Sequence, residues 1–134
     1  MNWDAQTEIN QWGRDLTRLP QLLQDAAKQT NDKSANDMAR RLKRNVPTGP
    51  DTPHLKDTIK IVDGDASKFE KIVSIGDSST PYTWALEFGH NAGGNGGTHV
   101  PPVKFFGPVV RIIRKKHRSA MRRAIRKALK VVFP

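Results

Sequence analysis

At 134 residues, with no cysteine, the chain has the size of one domain able to bury roughly two thirds of its unfolded surface, and it excludes a disulfide framework or a thiolate zinc site. Its net charge of +10 is unevenly placed: residues 101–134 hold eleven Lys or Arg and no acidic residue, while the preceding hundred hold twelve basic and thirteen acidic side chains. The totals describe a nearly neutral body carrying one strongly basic element, which calls for an acidic partner at the C-terminal end.

The first residues, MNWDAQTEINQW, are polar and acidic where a secretory signal is basic and then apolar, and no apolar run approaches the ~18 residues of a membrane span. A soluble, unprocessed product assembled in the cytoplasm is the expectation. From Trp3, the apolar positions Ile9, Trp12, Leu16, Leu19 and Leu23 fall three and four apart, the stripe of an amphipathic helix. Asp4 and Glu8 lie in its first turn, where the helix dipole favours carboxylates. Pro20 predicts a break or kink near Leu19 and a second helical stretch from Gln21. That stretch becomes polar over residues 30–36 and resumes with Met38, Leu42 and Val46, which reads as a core-facing helix with a solvated middle. The heptad does not persist, which argues against a coiled coil.

Residues 45–53, NVPTGPDTP, form a loop, with Thr52 and Pro53 placed to start one short turn over residues 54–57. The period then changes to alternation in residues 58–63 and again in 69–75, which predicts two antiparallel strands joined by a turn, with Ile59 and Ile61 on one face. Residues 76–81 read as a loop too polar to be buried. Next comes an aromatic run of Tyr82, Trp84, Leu86 and Phe88, then a glycine-rich stretch over residues 92–97, then Pro101 and Pro102 leading into Phe105 and Phe106. From Pro108 onward the apolar residues Val109, Ile112, Ile113, Ala120, Met121, Ala124, Ile125, Ala128 and Leu129 alternate with cations in the pattern of a long helix. The fold class expected is α+β in a single domain: an N-terminal helical region (1–45), a short antiparallel β-sheet with flexible loops (46–106), and a basic C-terminal helix (107–134) packed back on the sheet.

Little catalytic chemistry is legible. His54, His90, His99 and His117 read as exposed loop histidines, and Glu87, His90 and His99, the tightest cluster, are separated by a flexible stretch that does not hold metal ligands rigidly. The glycine-rich loop lacks a GKS or GKT ending, so it is not a phosphate loop; its role is length and mobility. No enzyme activity, metal or cofactor is expected. The C-terminal helix carries the electrostatic footprint of a polyanion contact, through Arg111, Arg114, Lys115, Arg118, Arg122, Arg123 and Arg126, facing DNA or an acidic protein. A small nucleic-acid-binding protein is the alternative that this charge supports. A membrane surface is disfavoured, because the apolar face is Ala and Ile with no Trp or Phe before Phe133.

The order of these features resembles the head-tail joining proteins of long-tailed double-stranded DNA phages, also called neck, tail-completion or tail-terminator-like proteins. The residues that carry the resemblance are Val46, Pro47, Asp51, Thr52, Leu55, Thr58 and Ile59, then Tyr82, Glu87, Phe88 and Gly89, then Pro101, Pro102, Phe105 and Phe106. It spans most of the chain from Ala39 onward. The family's Asp-Thr-Gly is here Asp51-Thr52-Pro53 behind an extra Thr48-Gly49-Pro50, a lengthened loop. The resemblance implies a structural virion protein that forms a ring of six copies between a connector or head-closure protein and a tail-terminator or tail-tube protein, around the passage of packaged DNA. It places subunit contacts at Tyr82, Trp84, Glu87, Phe88, Phe105 and Phe106, with an arm of Gly93, Gly94, Gly96 and Gly97 that orders on a neighbour. Aromatic residues of this kind are enriched at interface centres, and equally in cores, so Trp84 and Phe88 lie either inside one subunit or between two.

Overall fold

The computed structural model describes residues 5–47, 54–64, 69–92 and 97–134. Helix α1 (Ala5–Asn45) is followed by a 3₁₀ turn (Leu55–Thr58), strands β1 (Lys60–Asp63) and β2 (Lys71–Ser74), a short helix α2 (Thr83–Phe88), strands β3 (His90–Ala92) and β4 (Thr98–Val100), and helix α3 (Phe106–Val132). The α+β class expected from the sequence is the architecture observed. Trp3, the Thr52-Pro53 start of the 3₁₀ turn, the first hairpin's turn (65–68) and Gly93, Gly94 and Gly96 lie outside the described residues.

Helix α1 runs unbroken for 41 residues, about 60 Å, and the expected interruption at Pro20 does not occur. Pro20 is exposed, so the Leu16 carbonyl that loses its partner meets water rather than a dry core. Around it, Gln11 Nε2 donates to Asp15 Oδ1 at 2.9 Å and Gln21 Nε2 to Asp25 Oδ1 at 2.9 Å, four-residue stitches each worth a few tenths of a kcal/mol. The helix stops at Asn45 because Val46 precedes Pro47, and a residue before proline avoids the α region.

Leu42 and Val46 are buried as the spacing predicts, but burial elsewhere on α1 departs from the expectation. Ile9 and Leu16 are 56% and 57% exposed, whereas the polar segment 30–36 is where the helix meets its neighbours. Thr30 is buried with its hydroxyl on the Ala26 carbonyl, Asn31 Nδ2 donates to the Phe69 carbonyl at 2.7 Å, and Ser34 Oγ lies 2.7 Å from His117 Nδ1. The middle is therefore solvated on one side only, at Lys33 and Asn36, while Thr30, Asn31 and Ser34 bond locally or across to the next element.

Helix α3 packs along α1, not across the sheet. Ser34 pairs with His117, and the shared core places Leu42 and Val46 with Phe105 and Val109, so the two helices run antiparallel. The seam is made of small residues: Ala35, Ala39 and Ala128 are buried and Ala120 and Ala124 half-buried, which lets the helices approach closely. A two-stranded ribbon about 5 Å from strand to strand is too narrow to receive a helix that is about 40 Å long. Leu42, Leu55 and Val109 are fully buried where the end of α1, the 3₁₀ turn and the start of α3 converge.

The first hairpin pairs Ile61 with Val73 and Val62 with Ile72 in antiparallel register. Val73 packs against the core, while Val62 and Ile72 form an outward pair at 47% and 43% exposure. Lys71 ties this hairpin to α1 by bridging Asp63 and Asp32. The buried Thr58 hydroxyl accepts the Gly76 N–H at 2.8 Å and so joins the 3₁₀ turn to the end of β2. Gly76 has φ +88°, and a Cβ there would lie 2.7 Å from Thr83 Oγ1. The loop over 76–81 is not wholly exposed: Thr80 is buried, and its hydroxyl accepts the Asp77 N–H at 2.9 Å. Among the described residues no helix is long and apolar enough to cross a membrane.

Pro20→Ala restores one donor to α1 and removes ring crowding without touching the core, so it is expected to raise stability by up to roughly 3 kcal/mol in urea unfolding. A loss of stability in that variant would show that Pro20 makes a packing contact which the exposed position denies.

Candidate functional site

The site grows from α2 and the way it is anchored. Gly89, just past the helix, has φ +78°, and a Cβ there would sit 2.9 Å from the Val100 carbonyl and 3.1 Å from Pro102 Cδ. Glycine is needed both for the left-handed turn and for this close approach. The Val103 N–H donates to the Leu86 carbonyl at 2.7 Å, tying the double-proline segment to α2.

Glu87 then performs the central task. Its Oε2 accepts the Phe105 and Phe106 N–H groups at 3.0 and 3.1 Å, and its Oε1 accepts the Gly107 N–H at 2.9 Å. A helix leaves its first four N–H groups without internal partners, and Pro108 has none to offer, so Glu87 serves most of what α3 leaves open. Phe105 at the cap position has no side chain able to do this. Burial alone would push the Glu87 carboxyl up; the Phe105, Gly107 and Phe106 hydrogen bonds and the Lys104 charge outweigh it and hold the group below the usual carboxylate range.

With Glu87 turned inward, the other face of α2 is turned out. Trp84 and Phe88, four residues apart, are 74% and 61% exposed and stack on each other with ring centroids 5.2 Å apart and planes inclined by 22°. Beside them a mainly apolar cleft of about 290 Å³ is walled by Ile75 at the end of β2, Thr83 and Phe106. The alternative left open by the sequence is thus decided for the single chain: Trp84 and Phe88 are not inside it. Two expected contact residues need correcting. Phe105 is 2% exposed and belongs to the core, and Glu87 is buried as a helix cap, so neither presents its side chain to a neighbour. Tyr82 and Phe106 are half-buried against the core, and Gly97 is exposed.

The segment read as a flexible arm is in part a second hairpin, with His90 opposite Val100 and Asn91 opposite His99. His99 Nδ1 lies 3.2 Å from Asn91 Oδ1, and Glu87 points away from both histidines into the start of α3. Among the described residues no three His, Asp or Glu side chains come together as metal ligands. His117, read as a loop histidine, is half-buried in the middle of α3.

The seven basic residues expected to face a polyanion are all exposed on α3 and fan around its outer side. Arg114, Arg118 and Arg122 surround Met121 and Ile125 on one flank. Lys115 and Arg123 also line an open groove shared with Lys33 and Arg40 of α1. Lys33, Arg40 and Lys116 were missed from the sequence; the signal for the first two is that they stand seven apart on α1, which means nothing until α3 is known to lie alongside.

Compared with family models, with curated proteins and with solved structures, this chain matches none of them.

Glu87→Ala strands three backbone donors and is expected to lower stability by roughly 2–3 kcal/mol. Because the folded carboxyl titrates below its ordinary value of 4.5, the unfolded state binds more protons just below that pH, so the Glu87 contribution is complete above it and fades as pH falls through the folded value. Glu87→Gln should therefore lose part of the acid-induced drop in denaturant midpoint; an unchanged acid limb would contradict the capping role.

Proposed function

We propose that this chain is a non-enzymatic structural protein that assembles as a ring, six copies in the family it resembles, at the head-tail junction of a long-tailed DNA phage. Its place is then the virion, between a connector or head-closure ring and a tail-terminator or tail-tube ring. The observation that carries the proposal is the stacked Trp84–Phe88 pair, exposed on a helix whose orientation is locked by Glu87. Two large aromatics held in the open beside an apolar cleft form a preorganised anchor of the kind enriched at interface centres. A ring needs one such surface to meet a different surface on the next copy, and closes when the rotation between copies closes.

A second reading, binding of nucleic acid, has its own observation. Among the described residues none of the α3 cations forms an ion pair, so the helix carries its charge to solvent uncompensated.

Trp84→Ser together with Phe88→Ser removes the anchor from an exposed face and should leave the melting temperature within a few degrees of the parent. In virions assembled with this variant, electron microscopy should show separate filled heads and free tails. A normal yield of joined particles would overturn the proposed contact surface.

A further inference from the structure

Five basic residues of the nearly neutral body, Lys33, Arg40, Lys43, Arg44 and Lys56, line a surface that α3 cations share. Lys33 of α1 and Lys116 of α3 meet across an open groove of about 840 Å³ floored by Ile113 and Ala120, and Arg40 and Arg123, each seven residues further along its own helix, line its two ends. Seven residues are two helical turns, about 10.5 Å, and because the helices are antiparallel Arg40 and Arg123 fall that far to either side of Lys33 and Lys116, which draws the four cations into one band of about 20 Å. Lys115 adds a further charge on the α3 side. The groove continues past Asn36 and Arg40 into a second depression of about 640 Å³, where Lys43, Arg44 and Lys56 extend the band toward the 3₁₀ turn. Eight cations on three elements thus line a continuous surface. Among the described residues its one carboxylate, Asp37, is already held by Arg40 at 2.6 Å and Arg41 at 3.2 Å.

We infer that this groove binds the phosphate backbone of double-stranded nucleic acid without reading its sequence. The inference rests on the second reading above, that the α3 charge meets nucleic acid, and names the surface that does so. A duplex carries one phosphate per strand for about every 3.4 Å of its helix axis, so a band of about 20 Å lies alongside several of them. Asn36 and Ser119 add neutral donors to the walls. The linings hold no aromatic residue on which an unpaired base stacks, which favours a duplex over a single strand. They also lack the exposed aromatic anchors of a protein interface; those stand on α2 instead.

Fluorescence anisotropy of the full chain with a labelled duplex of arbitrary sequence, across a salt series, tests this. The parent should show a log–log salt slope of about −3 or steeper, since each phosphate contact contributes about −0.9. The variant Lys33→Gln, Lys116→Gln, Arg123→Gln should bind at least tenfold more weakly at ~0.1 M salt with a slope shallower by about 3. Arg14→Gln, Lys28→Gln, Lys60→Gln removes the same charge elsewhere and should keep the parental slope; circular dichroism verifies that all three proteins are folded. Equal losses in the two triple variants would overturn the groove while leaving a general electrostatic attraction. No duplex binding by the parent would overturn the nucleic-acid reading itself, and competition by poly-glutamate as effective as by duplex at equal charge would overturn it in favour of an acidic protein. None of these outcomes touches ring assembly, which is read separately from joined particles.

Discussion

The carboxylate of Glu87 closes the start of α3, and the placement of both candidate surfaces follows from that closure. A side chain at the end of a six-residue helix supplies the acceptors that the cap position, Phe105, lacks, so α2 and α3 are joined by charge-assisted bonds. Glu87 and Phe88 are about 100° apart around α2. Turning the first inward against α3 turns Phe88 and its stacking partner Trp84 outward. The same bonds set where α3 begins, with Gly107 leaving room for the carboxylate: a Cβ there would lie 3.2 Å from Glu87 Oε1. From that start α3 runs back along α1, bringing Lys116 opposite Lys33 and setting Arg123 and Arg40 at the two ends of the same groove.

The seam between the helices distributes polarity in a way that simple amphipathicity does not describe. Alanines occupy the close approach, and polar side chains at the margins, such as Ser34 and His117, meet across it. Meanwhile Ile9 and Leu16 remain in water on a part of α1 that lies toward the far end of α3. Helix α1 is longer than α3 by fourteen residues, about 20 Å, so its first turns have little of α3 to pack on. Apolar spacing of three and four marks a helix, but only a neighbour converts that stripe into a core.

Charge is organised by the same juxtaposition. Taken along the chain, the first hundred residues are nearly neutral and the C-terminal segment is basic. In three dimensions the neutral part is itself divided: Lys33 and Arg40 line the groove beside α3, Lys43 and Arg44 line the depression next to it, and Asp63 and Asp32 are engaged by Lys71 on the first hairpin. Local neutrality in sequence therefore coexists with a strongly basic band on the surface, and the aromatic anchor on α2 is a separate feature from that band.

What the sequence by itself determined was largely local. Alternation identified the first hairpin, three-and-four spacing identified α1 and α3, and Glu-Phe-Gly followed by a proline-aromatic pair marked the stretch where α2, the second hairpin and the start of α3 meet. These signals survive because backbone period and turn chemistry are set within a few residues. The continuity of α1 through Pro20 was decided by solvent exposure at that position, and the second hairpin was hidden by strands of only three residues flanking glycines. Only the tertiary structure decided that α3 lies on α1 rather than on the sheet, that Glu87 and Phe105 are internal while Trp84 and Phe88 are not, and that cations about eighty residues apart share a groove. Burial and charge density are properties of what lies alongside, and a one-dimensional pattern records periodicity without recording its neighbour.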